Sequence, residues 1–322
     1  MREARLIGEH DVVGPGTVRG LRALTTAGGL VAAVAVDQRQ ALRRMLADAG
    51  AAPDADSLRA FKVAVGRALG DIAPALLTDP EFGLPAISSD PAIPARLPLM
   101  LSIEESGTLP CEGGKRSLAL AGWSAEAARR HGAIAAKLLV YARADHAATL
   151  GHAERLIRAV RADCRRADLP FVLEILPYRL DEEDEEHYRH AFGRHVLEVA
   201  AIGDDARPDL LKLAWPGALG SDGEEPGGLD RLAGMRSPWA LLSAGAPFET
   251  FERRVALALE RGGACGFIAG RALWADAVGA PDLESALRSG ARPRLERLLA
   301  TVEGRGRPLP LPAVPDAPEW YL

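Results

Sequence analysis

Lysine is scarce in this 322-residue chain: of 39 basic residues only four are lysine, Lys62, Lys115, Lys137 and Lys212. The remaining 35 are arginine, and in a chain so rich in alanine and glycine this is a habit of composition. Each surviving lysine is informative, because arginine serves equally well wherever only a surface charge is needed. Cysteine is also sparse. Cys111, Cys164 and Cys265 include no CxxC spacing, which excludes a disulfide framework and a zinc site. A formal charge of −5 leaves no basic excess for nucleic acid. The longest candidate membrane run, Gly28–Val36, stops at Asp37, short of the roughly 20 residues a span needs. The opening MREARLIGEH lacks the apolar core of a signal peptide. The expectation is a cytoplasmic protein with no nucleic-acid or membrane partner.

What is present is a globular composition, 48% hydrophobic and 26% charged. Eight short apolar runs alternate with longer helical periods. The runs are Leu30–Val36, Ala73–Thr78, Leu97–Ile103, Ile134–Val140, Phe171–Leu176, Asp209–Trp215, Trp239–Ala244 and Cys265–Ala269. Each has the length of a strand buried on both faces. Helical periods lie between them, among them Gln40–Ala49, Ser57–Leu69, Asp145–Arg166, Glu183–Ile202 and Phe248–Arg261, with a last one over Leu283–Thr301. Eight βα units predict a parallel sheet, and eight is the number that closes a (β/α)₈ TIM barrel. An open doubly wound sheet fits less well, since no GxGxxG turn follows the first run. No linker divides the chain, so one domain is expected over 1–322, with the barrel core over about 28–302, an extra N-terminal segment and a Pro-rich tail. The segment Ser221–Gly228 reads as a loop. Gly304–Pro318 reads as non-helical chain on the surface or against a partner subunit of a homo-oligomer.

Three consecutive runs each carry one charge among apolar neighbours: Lys137 in the fourth, Glu174 in the fifth and Lys212 in the sixth. Consecutive barrel strands are neighbours, so the three meet if all point to the axis. Burying such groups unpaired costs several kcal/mol, on the order of the penalty for an isolated ion in a protein interior. They are therefore either paired as structural filling or used. Used, they suggest amine catalysis: a lysine beside another cation attacks a carbonyl while the carboxylate shuttles protons. Two of the chain's four lysines sit in this triplet, which favours the second reading.

The strand ends supply further polar groups, where active sites of such barrels form. The first run leads into Asp37-Gln38-Arg39, the second into Asp79-Pro80-Glu81 and the third into Glu104-Glu105. The last two end in Ser243-Ala244-Gly245 and Ala269-Gly270-Arg271. Loops at those two positions commonly hold a phosphate through backbone N–H groups, a hydroxyl and a guanidinium. His187, His190 and His195 lie on an outer helix behind the acidic run Asp181–Glu186 and read as solvated surface. No HExxH occurs, so neither a metal nor a cofactor is expected.

The stretches AVDQRQALRRML, LLTDPEFGLPA, SIEESG, AAKLLVYAR, FVLEIL, PDLLKLAWP, LLSAG and GFIAGRALW are collinear from residue 30 to about 280. As a set they resemble class I tagatose-bisphosphate aldolases, a family related to sulfofructose phosphate aldolases. The resemblance implies a TIM-barrel lyase that cleaves a phosphorylated ketose to dihydroxyacetone phosphate and glyceraldehyde 3-phosphate, with no cofactor. It implies Lys212 as the Schiff base, Glu174 as the proton carrier, and Lys137, Asp37 and Gln38 against the substrate's hydroxyls and carbonyl. Ser243, Gly245, Gly270 and Arg271 would surround one phosphate, with Arg39 at the distal anion. One departure stands out. The family pattern K-V-E-x-P is here Lys212-Leu213-Ala214-Trp215-Pro216, so Ala214 replaces an acid.

Overall fold

The computed structural model describes residues 13–219 and 227–314. Its ten strands are β1 (Val31–Ala35), β2 (Ala75–Thr78), β3 (Leu99–Ser102), β4 (Leu109–Cys111), β5 (Gly114–Arg116), β6 (Ala133–Tyr141), β7 (Phe171–Leu176), β8 (Leu210–Leu213), β9 (Trp239–Leu242) and β10 (Gly266–Ala269). Eight of them close a parallel barrel in the order β1-β2-β3-β6-β7-β8-β9-β10. The helices in chain order are α1 (Pro15–Ala23), α2 (Gln40–Asp48), α3 (Ala55–Leu69), α4 (Gly83–Ser89), α5 (Ala125–Arg130), α6 (Ala147–Arg166), α7 (Glu185–Asp205), α8 (Leu229–Ala233), α9 (Phe248–Glu260), α10 (Arg271–Trp274), α11 (Leu283–Ala286) and α12 (Arg292–Arg305). Each predicted run coincides with a barrel strand to within two residues at either end, because residues that face helices on one side and the axis on the other are apolar on both.

The strands divide their side chains between two cores. One parity packs outward against the helices, as Ala32, Val34, Leu138 and Leu173 do. The other lines the axis, where Val31, Ala33, Leu77, Met100, Ala135, Val172 and Leu210 form a separate cluster. Leu21 and Leu24 of the N-terminal segment and Leu309 of the tail join that inner cluster and seal the amino end of the barrel. Side chains cap several helices: the carboxylates of Asp54 and Asp184 accept the N–H of Ser57 and His187, each at 2.8 Å.

Three features differ from the sequence expectation. The last helical period is not continuous, because a π-turn over Leu287–Ala291 separates α11 from α12. Pro293 explains it: proline offers no N–H and crowds the preceding turn, so the helix resets there. The chain from Gly304 is not wholly non-helical either, since α12 runs through Arg305 and gives way only before Pro308. Beyond it the tail packs on its own barrel, with Leu309 N–H donating to Gly29 O at 2.8 Å. The β4–β5 hairpin was also unforeseen. Its two-residue turn, Glu112-Gly113, has positive φ at both positions, of 48° and 78°. Most of the expected loop at Ser221–Gly228 and the end of the tail lie outside the described residues.

Candidate active site

Strand alternation puts the charged residues at the carboxyl end of the axis. Lys137 follows Ala135, Glu174 follows Val172 and Lys212 follows Leu210, each two residues on and so on the same face. Register then makes them neighbours: Glu174 pairs across to Lys212, and Leu139, two beyond Lys137, pairs with Glu174. The structure brings all three together. Glu174 Oε2 lies 2.8 Å from Lys212 Nζ and 2.9 Å from Lys137 Nζ, a single oxygen bridging two ammonium groups.

The two lysines are not equivalent. Lys137 donates to Asp37 Oδ2 and to Glu104 Oε1, each at 2.7 Å, as well as meeting Glu174. Burial alone would lower its pKa, but the charges of Asp37, Glu104 and Glu174 outweigh burial and hold it well above the ordinary lysine value. Lys137 is thus a permanent cation. Lys212 has Glu174 as its one carboxylate partner among the described residues. For the acids the balance runs the other way. Burial would raise the carboxyl groups of Glu174 and Asp37, yet Lys137 and Lys212 keep both below the usual carboxylate range.

Two cavities flank this cluster. The larger, about 210 Å³, is polar and bordered by Asp37, Gln38, Lys137, Tyr141, Glu174 and Lys212, with Arg44 and Ser106 toward its mouth. The smaller, about 130 Å³, shares Gln38, Glu174, Lys212 and Arg271 with it. Its other walls are Leu176, which also borders the larger cavity, the apolar Phe192, Ala214 and Leu242, and the polar turn Ser243–Ala244. Ala214 is buried against Phe192 and Leu242, so where the family pattern has an acid this chain has an apolar wall. A groove of about 760 Å³ between α6 and α7 is larger, but it lies outside the barrel and none of its ionisable residues is buried.

The remaining predicted residues reach the site with different freedom. Ser243 Oγ accepts the Gly270 N–H at 3.4 Å, which ties the two last loops together. Gly245 has φ of 83°, a conformation side chains resist. A Cβ on Gly270 would fall 2.7 Å from Ala35 O, so only glycine fits there. Arg271 has no ion-pair partner among the described residues and borders both cavities. Asp37 Oδ1 and Gln38 Oε1 are buried acceptors with no protein donor. Arg39 is different. It is buried, one end of its guanidinium on Glu81 and the other donating to Glu104 O at 2.6 Å, so it is already committed to protein acceptors.

Tyr141, Ser117 and Arg44 also border the larger cavity and were not singled out by sequence reasoning, while Glu104 was named there only together with Glu105. The alternation that found Lys137 could have found Tyr141, four residues on along β6. It could equally have picked Glu104 over Glu105, since Met100, Ser102 and Glu104 share one parity. His195 is buried on α7 beside Glu198 and stacks on Tyr188. Among the described residues no His, Cys, Asp and Glu group is placed to hold a metal, and no helix is long and apolar enough to cross a membrane.

Comparison with known proteins agrees with this architecture. A tagatose 1,6-diphosphate aldolase 2 of Enterococcus faecalis is 29% identical over 274 residues, covering 79% of this chain and 82% of its own length. The tagatose 1,6-diphosphate aldolase of Lactococcus lactis is 30% identical over 282 residues, 81% of this chain and 85% of its own. Two solved aldolases share the fold. Fructose-bisphosphate aldolase of Plasmodium falciparum superposes with a TM-score of 0.66 at 15% identity, over 91% of this chain and 95% of that one. An archaeal fructose-1,6-bisphosphate aldolase, solved with its catalytic lysine bound to the carbinolamine intermediate, gives 0.56 at 17%, over 88% and 99%. Residues 31–276 match the DeoC/LacD family aldolases, and the chain belongs to that family.

Proposed function

We propose that this aldolase cleaves a ketose bisphosphate such as tagatose 1,6-bisphosphate through an imine on Lys212, giving dihydroxyacetone phosphate and glyceraldehyde 3-phosphate. One observation carries the choice of lysine: Lys137 meets three carboxylates, whereas Lys212 meets one and borders both cavities. A nucleophile needs a free lone pair, and Lys137 has none to give. Its fixed charge instead helps hold Glu174 ionised beside Lys212.

The steps follow from the geometry. Glu174 takes one proton from the Lys212 ammonium 2.8 Å away, Lys212 Nζ attacks the substrate carbonyl carbon and passes a second proton to the new alkoxide, and the hydroxyl leaves as water with the proton that Glu174 returns. The iminium then withdraws electrons as the C3–C4 bond breaks. Glu174, ionised again, takes the proton of the C4 hydroxyl, directly or through a water, and the aldehyde departs. Proton return to C3 of the enamine and hydrolysis of the imine release dihydroxyacetone phosphate and Lys212. Asp37 Oδ1 and Gln38 Oε1 are suited to accept substrate hydroxyl protons, being buried acceptors without protein donors.

The two anionic ends take separate cations. Ser243, Gly245, Gly270 and Arg271 hold the phosphate of the dihydroxyacetone half beside the smaller cavity. Arg39 is tied to Glu81, so the distal anion falls to Arg44, an exposed guanidinium one turn further along α2 that borders the larger cavity with no ion-pair partner among the described residues. A panel of tagatose 1,6-bisphosphate, fructose 1,6-bisphosphate and sulfofructose phosphate, with products identified by mass spectrometry, tests the reading. Formation of dihydroxyacetone phosphate from a bisphosphate supports it; turnover of the sulfonate alone reassigns the substrate, and turnover of none rejects it.

A further inference from the structure

Lys62 is the third of the four lysines to be buried, and the mechanism above gives it no part. It sits on α3 with no exposed surface. Its ammonium donates to Val36 O and to Gln38 O, the latter at 2.9 Å, and lies 2.8 Å from Asp79 Oδ2, itself fully buried. Those two carbonyls belong to the residues on either side of Asp37. The β1–β2 ladder reaches Val36, whose N–H donates to Leu77 O at 2.8 Å. Past that point the strand ends, and Lys62 takes over the hold on the backbone. Asp79 extends the hold: its Oδ1 accepts the N–H of Glu81 at 3.1 Å and of Phe82 at 2.7 Å, which sets Glu81 against Arg39.

We propose that Lys62 is a positioning residue for the aldol reaction. Pinned at Val36 O and Gln38 O, the segment between them presents the Asp37 carboxylate to Lys137 and the Gln38 amide to the Gly270 turn. The chemistry also accounts for lysine at this place in an arginine-rich chain. Three acceptors converge on one nitrogen, which suits a compact ammonium and not a planar guanidinium with its donors spread apart. The inference rests on the aldolase reading, in which Asp37 contacts substrate.

Lys62→Met alone would leave Asp79 as an uncompensated buried charge and is expected to unfold or destabilise the chain. The informative variant is therefore the double one, Lys62→Met with Asp79→Asn, which removes both charges and keeps the Asp79 acceptor. It is checked for folding by circular dichroism, assayed for kcat and KM, and crystallised beside the wild type. The expected result is a folded protein whose kcat falls about 10- to 100-fold, with KM changed less, as a small displacement of a reacting group gives. In the crystal the Asp37 carboxylate should have left its 2.7 Å contact with Lys137. A folded double variant with wild-type kcat overturns the proposal, and so does a fall in kcat with Asp37 unmoved. Should the wild type cleave no ketose phosphate, the aldolase reading fails, while the position of Asp37 in the variant still decides whether Lys62 places it.

Discussion

The same eight strands build two unlike interiors. At the amino end the axis is filled by Val31, Ala33, Ala75, Leu77, Met100, Ala135, Val172 and Leu210, closed from below by Leu21, Leu24 and Leu309. One pleat further along, the same parity carries Asp37, Lys137, Glu174 and Lys212, with Ser243 on the neighbouring loop. The first end is apolar and plugged by both terminal segments. The second is buried, charged and open to two cavities. Stability and chemistry are thereby assigned to opposite ends of a shared scaffold, and each can be broken without the other.

The largest effect is expected from Lys212→Met. It should lower kcat by about 10⁴-fold or more, as loss of a covalent nucleophile does. The melting temperature should hardly move, because Glu174 keeps Lys137 at 2.9 Å and no carboxylate is orphaned. Thermal melts beside steady-state assays check both halves of this statement. Glu174→Gln should cost about 10²- to 10⁴-fold in kcat, the range for a positioned acid–base group.

At the opposite end, Leu24→Ala should destabilise the fold by about 2–5 kcal/mol, the range for a fully buried leucine, and leave kcat at 25 °C unchanged. Chemical denaturation read beside activity would show it. A loss of kcat in the native protein would break the separation between the two ends.

The pH dependence carries a sign. Glu174 and Asp37 have folded pKa values below their ordinary ones, so their contribution to stability is complete at neutral pH and is lost only as acid titrates them in the fold. By the same shift, the loss of stability from these two groups should set in only below about pH 4.5, the ordinary glutamate value, as chemical denaturation across pH would show. A loss of stability between about pH 7 and pH 5 that Glu174→Gln abolishes would contradict an ionised Glu174. The smallest effect is expected from Arg44→Ala, which should raise KM for a ketose bisphosphate about tenfold, the scale of one charge-assisted contact, while sparing a ketose 1-phosphate.

Much of this was legible in the sequence, for identifiable reasons. Strands buried on both faces are apolar runs, so the barrel could be counted, and a lysine or glutamate inside such a run stands out against its neighbours. What failed to show depends on contacts distant in sequence. Arg39 looks like a free cation until Glu81, 42 residues on, is seen against it. Lys62 looks like a helix-surface charge until α3 is packed over the ends of β1 and β2, beside Asp79. The plug at the amino end brings Leu21 and Leu309 into one cluster from opposite ends of the chain, with no local pattern to mark either.

The chemistry turns on Lys212, and not its buried neighbour Lys137, carrying the imine. Borohydride reduction of the protein in the presence of dihydroxyacetone phosphate, followed by peptide mapping, tests it directly. The expected result is a single reduced adduct on the peptide containing Lys212, absent from Lys212→Met. An adduct on Lys137, or full turnover by Lys212→Met, would contradict it.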